Sequence, residues 1–73
     1  MKVTVKLINN GWSFFTDVTD IISDEENVEV WQDYYITNKY GEEEYDERCT
    51  TFAKDEVIYL EIEKAGQKVR WFI

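Results

Sequence analysis

The side chains that could do chemistry in this 73-residue chain are sixteen carboxylates, one thiol and twelve aromatic rings, because histidine is absent. Without an imidazole, Ser-His-Asp and Cys-His nucleophilic arrangements are excluded, together with most transition-metal sites. Cys49 stands next to Arg48, but Asp46 and Glu47 offset that charge, so nothing activates the thiol and it reads as half-buried and structural. Sixteen acids inevitably include pairs at the separation glycoside hydrolysis uses, yet a chain this short lacks room for the cleft of roughly 300 Å³ or more that small-molecule chemistry needs. No enzymatic activity is expected. Calcium is the remaining ligand for such acids, through Asp17, Asp20, Asp24 and Glu26 or through Glu42-Glu43-Glu44. The first set has no glycine at a sharp turn and is interrupted by Val18, Ile21 and Ile22, so neither a metal nor another cofactor is expected.

What the acids can do is form a surface. Twelve of them fall between Asp17 and Glu47, where Lys39 is the only base, so this stretch of 31 residues carries −11 within a net charge of −8. Self-repulsion of this size costs stability, and it points to a positively charged partner. Alternate residues of a strand lie about 7 Å apart, a spacing comparable to successive phosphates of a nucleic-acid strand. Aromatic residues are interleaved with the charges, and in an interface acids steer the encounter while rings supply the anchors. The candidate partner-binding residues are therefore Asp24, Glu25, Glu26, Glu29, Trp31, Asp33, Tyr35, Tyr40, Glu42, Glu43, Glu44, Tyr45, Asp46 and Glu47. The same acidity argues against direct contact with nucleic acid or anionic membranes, since phosphate contacts need Lys and Arg. The competing reading of the block is a solvated face that keeps a β-rich protein soluble and blunts its strand edges.

The elements that must position these residues follow from alternation with a period of two. Residues 1–73 form one domain, near the lower size limit for a core without staples, and the large rings compensate for length. Val3, Val5 and Leu7 alternate with Lys2, Thr4 and Lys6, and Asn10-Gly11 supplies a two-residue hairpin loop. That loop predicts Leu7 opposite Phe14, Val5 opposite Thr16, Val3 opposite Val18 and Thr4 opposite Asp17, with Asp17 close to Lys2 and Lys6. At the other end, Ala65-Gly66 as a loop pairs Glu63 with Lys68, Ile62 with Val69, Glu61 with Arg70, Leu60 with Trp71 and Tyr59 with Phe72. Opposite charges and apolar residues then sort to separate faces. Asn27 to Thr37 reads as a strand with Val28, Val30, Tyr34 and Ile36 on one face and Glu29, Trp31, Asp33 and Tyr35 on the other. Asn38-Lys39-Tyr40-Gly41 then makes a type I turn followed by a left-handed residue. The returning strand Glu44 to Phe52 has no defined register. The expected class is all-β, or β-rich α+β, as a five- to six-stranded antiparallel meander or small barrel. A short helix is the alternative near 23–27, where Ser23 and Glu26 match a capping box, or near 44–54.

Size, the absence of a disulfide, and the block Asp24-Glu25-Glu26-Asn27-Val28-Glu29-Val30-Trp31-Gln32-Asp33-Tyr34-Tyr35 with Tyr40-Gly41-Glu42-Glu43-Glu44-Tyr45-Asp46-Glu47 resemble the small acidic inhibitors that phages make against host nucleic-acid-binding proteins, including anti-CRISPR proteins and other DNA mimics. The resemblance is one of class. It implies a protein that occupies the Lys/Arg-lined groove of a basic nucleic-acid-binding enzyme, such as a CRISPR nuclease, in the host cytoplasm. A single cysteine fits a reducing compartment, and Met1 to Lys6 lacks the apolar run of a signal peptide. The alternative is a structural or assembly protein that self-associates through strand edges, with Lys68 to Ile73 as the contact and the acids serving solubility.

Overall fold

Seven segments, most of them alternating in apolar residues, form strands, and a computed structural model of residues 1–73 arranges them in two antiparallel sheets with no closed barrel. The strands are β1 (Lys2–Leu7), β2 (Trp12–Phe15), β3 (Val18–Ser23), β4 (Asn27–Thr37), β5 (Glu43–Ala53), β6 (Val57–Lys64) and β7 (Gln67–Phe72). One sheet has the order β2-β1-β6-β7 and the other β3-β4-β5. The all-β antiparallel class is as expected, but β1 pairs with β6 across the chain, so the strands do not follow a single meander. The only helical piece is a 3-10 turn, Lys54–Glu56. Neither proposed helix forms: residues 24–26 are a turn between β3 and β4, and 44–53 lie within β5, where Thr50-Thr51-Phe52 pairs with Val30-Glu29-Val28.

The β6–β7 hairpin has the predicted register at every pair from Tyr59–Phe72 to Glu63–Lys68. Ala65 (φ 53°) and Gly66 (φ 79°) form its loop, both left-handed as a type I′ turn demands. Arg70 Nε meets Glu61 Oε1 at 3.2 Å, the only salt bridge in the protein.

The β1–β2 hairpin differs from expectation. Its loop is Ile8-Asn9-Asn10, closed by hydrogen bonds from Leu7 N–H to the Gly11 carbonyl (3.0 Å) and from Asn10 N–H to the Leu7 carbonyl (3.2 Å). Asn10 takes the left-handed position (φ 66°), while the Asn9 side chain accepts from Gly11 N–H at 2.8 Å. A Cβ on Gly11 would lie 2.7 Å from that Asn9 Oδ1, so the glycine is needed for close approach rather than for its φ. The register becomes Val3–Phe15, Thr4–Phe14, Val5–Ser13 and Lys6–Trp12. Phe15, not Phe14, therefore faces inward and packs edge-on against Phe52 at 5.9 Å, and Lys6 lies over Trp12 at 4.1 Å instead of near Asp17. Asp17 (φ 54°) then turns the chain out of the first sheet, so Val18 begins β3 in the second. Val18 N–H donates to the Met1 carbonyl at 3.0 Å, which ties the two sheets at this corner.

Between the sheets lie Val3, Val5, Val18, Val28, Val30, Val57 and Leu60, all buried, with Phe15, Phe52 and Ile62 at the margin. This small core occupies one end of β4 only, and it leaves the far half of that strand without a layer beneath it.

Candidate functional site

β4 and β5 are eleven residues each and pair without interruption from Asn27–Ala53 to Thr37–Glu43. β3 runs beside β4 only from Val28 to Gln32. Asp33 N–H still donates to the Asp17 carbonyl at 3.1 Å, and beyond it the hairpin is a two-stranded ribbon, about 13 Å of strand on each side. Its turn is Asn38 to Gly41: Gly41 N–H donates to the Asn38 carbonyl at 3.0 Å, and Gly41 has φ 78°. Asn38 Oδ1 accepts from Tyr40 N–H (2.9 Å) and Glu42 N–H (3.0 Å), and its Nδ2 donates to Glu44 Oε1 (3.0 Å). One asparagine thus fixes the tip and one of its carboxylates.

Cross-strand register sorts the acids onto two faces. The outward face holds Asp33 opposite Glu47, Tyr35 opposite Tyr45 and Thr37 opposite Glu43, continuing Glu29 and Trp31 on the body. The other face holds Tyr34 opposite Asp46 and Ile36 opposite Glu44, with Arg48 stacked over Tyr34 at 5.4 Å. Like charges directly across a sheet destabilise it, and Asp33 against Glu47 is such a pair. The Tyr45 hydroxyl relieves it by donating to Asp33 Oδ1 at 2.8 Å while lying 3.3 Å from Glu47 Oε1. The hydrogen bond to Asp33 is the main reason the Tyr45 phenol is pushed up to about 12, with partial loss of water and the two negative charges adding to it. Tyr35 packs edge-on against Tyr45 at 5.7 Å, so the two rings and two carboxylates form one supported unit.

The remaining candidates lie elsewhere. Asp24, Glu25 and Glu26 sit in the β3–β4 turn, at the opposite end of β4 and on the order of 30 Å from the ribbon tip. Asp24, rather than Ser23, does the capping there: its Oδ1 accepts from Glu26 N–H (2.8 Å) and Asn27 N–H (2.7 Å), and these bonds, Asn27 first, hold its carboxyl below the usual range. Lys54 Nζ donates to the Asp24 carbonyl at 2.9 Å, so this acidic turn has a base beside it. Glu29 accepts from Trp31 Nε1 at 3.3 Å on the body of the second sheet. Tyr40 and Glu42 are exposed at the tip, where Lys39 lies 5.1 Å from the Tyr40 ring. Cys49 is exposed opposite Trp31, not half-buried, because the outward face of β5 has nothing over it. Ile36 and Arg48 join the ribbon without having been singled out, and only the β4–β5 register, which places them against Glu44 and Gln32, could have found them.

No group of three or more acids and thiols is arranged to hold a metal ion. No family of proteins, no curated protein and no solved structure matches this chain.

Proposed function

We propose that the protein is a non-enzymatic, acidic inhibitor that inserts its β4–β5 ribbon into the basic nucleic-acid groove of a target enzyme in the cytoplasm. The observation that carries this reading is the projection of residues 33–47 beyond the third strand, with six acids against the single base Lys39. A two-stranded ribbon is narrow enough to enter a major-groove-sized channel, and it presents carboxylates on both faces at strand spacing. Glu43, Glu47 and Asp33 on one side and Glu44 and Asp46 on the other act as surrogates for phosphates. Tyr35, Tyr40, Tyr45 and Ile36 supply the apolar contacts that hold the complex once charge has steered it. The class resemblance makes a CRISPR nuclease the first target to try.

The experiment is binding of the intact protein to such an enzyme at about 50 mM and about 500 mM salt, where screening lengths differ severalfold. Affinity is expected to fall steeply with salt, and Glu43→Lys/Glu44→Lys/Glu47→Lys to lose on the order of 100-fold. Binding that ignores both changes would sink the mimicry mechanism even where inhibition persists.

A further inference from the structure

The two sheets have four free edges, and three of them are defended against pairing. β2 is four residues long, β3 carries a bulge between Val18 and Asp20, and β5 carries Glu43, Glu44, Asp46 and Glu47. β7 is the least defended: it is six residues long, free of bulges, and contains neither proline nor an acid, with Lys68 and Arg70 as its only charges. Its inward face is also uncovered, because the three-stranded sheet does not reach it. On that face Val69 is 53 % exposed, Trp71 51 % and Ile73 44 %, while Phe72, 71 % exposed, lies on the opposite face beside Tyr59. Together with Ile62, Lys64, Ala65 and Gln67, Val69 and Trp71 line an open hollow of about 390 Å³.

We infer that β7 is a dimerisation edge, pairing antiparallel with β7 of a second copy of this chain. Charge selects the occupant. Two copies at −8 repel each other least at the four-stranded sheet, where residues 1–16 carry two bases and no acid, residues 57–73 carry two acids and three bases, and Glu61 is already paired with Arg70; of its two edges only β7 is long enough to pair. Register is selected by the same rule. A two-fold axis at Arg70 would oppose two guanidinium groups, and one at Val69 would oppose Lys68 to Arg70. An axis at Trp71 sets Trp71 against its own copy, Val69 against Ile73 of the second copy and Arg70 against Phe72 of the second copy, with no like charges facing. The four apolar side chains expose on the order of 400 Å² in each copy. With the stems of Lys68 and Arg70 and the strand backbone, the pair reaches about the 1,000 Å² that a specific interface needs. A marginal area of this kind gives a reversible dimer, one that presents two acidic ribbons at once. The inference does not depend on the inhibitor reading.

Sedimentation equilibrium of the intact protein from about 1 µM to about 500 µM tests it, with a dissociation constant expected on the order of 10–100 µM. Val69→Lys and Trp71→Lys are each expected to weaken the dimer at least tenfold, whereas Phe14→Lys, at a still more exposed apolar site on β2, leaves it unchanged. Should Trp71→Lys fail to fold, Val69→Lys carries the test. Raising salt is expected to strengthen the dimer, because it screens −8 against −8. That is opposite to its effect on a ribbon-bound basic partner, so the two readings fail separately. A monomer at about 500 µM, a dimer indifferent to Val69→Lys, or a dimer weakened by salt would overturn the inference.

Discussion

The β6–β7 hairpin and the β4–β5 ribbon are built by the same rules and put to opposite uses. Both turn through a glycine at nearly the same left-handed angle, 79° at Gly66 and 78° at Gly41, and both pair without a bulge. In the first, Glu61 faces Arg70 and Glu63 faces Lys68, while Leu60 is fully buried beneath. In the second, beyond Gln32, Asp33 faces Glu47 while Asp46, Glu44 and Glu43 face Tyr34, Ile36 and Thr37, none of which carries a base, with no layer beneath. A hairpin whose pairs all favour folding contributes to the domain. One that opposes like charges must draw its stability from the domain it extends, and what it gains is a display of unneutralised charge.

The largest effect that separates the two regions is expected from core truncation. Leu60→Ala removes a fully buried side chain on β6 and is expected to cost about 2–5 kcal/mol. Ile36→Ala, half exposed on the ribbon, is expected to cost less than about 1 kcal/mol. Urea denaturation followed by tryptophan fluorescence measures both. Comparable losses would mean that the ribbon is packed as tightly as the body.

Much of this contrast was legible in the sequence, for a physical reason that also explains what was not. The β6–β7 register was readable because Glu61, Glu63, Lys68 and Arg70 match in only one alignment and its loop has no competing turn residue. β4 was readable because Val28, Val30 and Glu29, Trp31, Asp33 alternate without interruption. The β1–β2 register was misread because Asn9-Asn10-Gly11 supports two loops, and the choice is made by the Asn9 side chain reaching Gly11 N–H. Pairing of β1 with β6 joins residues fifty or more positions apart, which no local pattern encodes. The division of the acidic block, with Asp24 to Glu26 at one end of β4 and Asp33 to Glu47 at the other, depends on β3 ending its pairing at Gln32. The block is continuous in sequence and discontinuous in space.

The two turn glycines sharpen the comparison at an intermediate scale. A Cβ at either Gly41 or Gly66 would meet nothing within 4 Å, so alanine there tests backbone strain alone. Each substitution is expected to cost about 1–2 kcal/mol locally. Gly66→Ala should appear in the global unfolding midpoint, because β6 and β7 belong to the sheet that carries the core. Gly41→Ala should leave the midpoint nearly unchanged and accelerate amide exchange only from about residue 33 to 47, since local opening there does not require unfolding of the body. A fall in global stability with Gly41→Ala would show that the ribbon and body unfold as one unit.

The smallest global effect, and the one closest to function, is expected at Tyr45. Its phenol is raised from the ordinary 10 to about 12 in the folded ribbon, chiefly by donating to Asp33. A group whose folded value lies above its unfolded value stabilises the fold fully below the unfolded value and loses that contribution as pH rises through the folded one. The contribution of Tyr45 should therefore be intact below pH 10 and disappear towards pH 12, where a phenolate beside Asp33 and Glu47 adds a third negative charge. Ultraviolet titration should show phenol ionisation near pH 12, and Tyr45→Phe should remove that step. In the same variant at neutral pH, Asp33 and Glu47 face each other without a donor between them, so exchange of ribbon amides should quicken while the unfolding midpoint of the body holds. Unchanged exchange would mean that the carboxylates separate into solvent without help and that the display of charge needs no internal support. Faster exchange would make Tyr45 the residue that holds the Asp33–Glu47 pair in register.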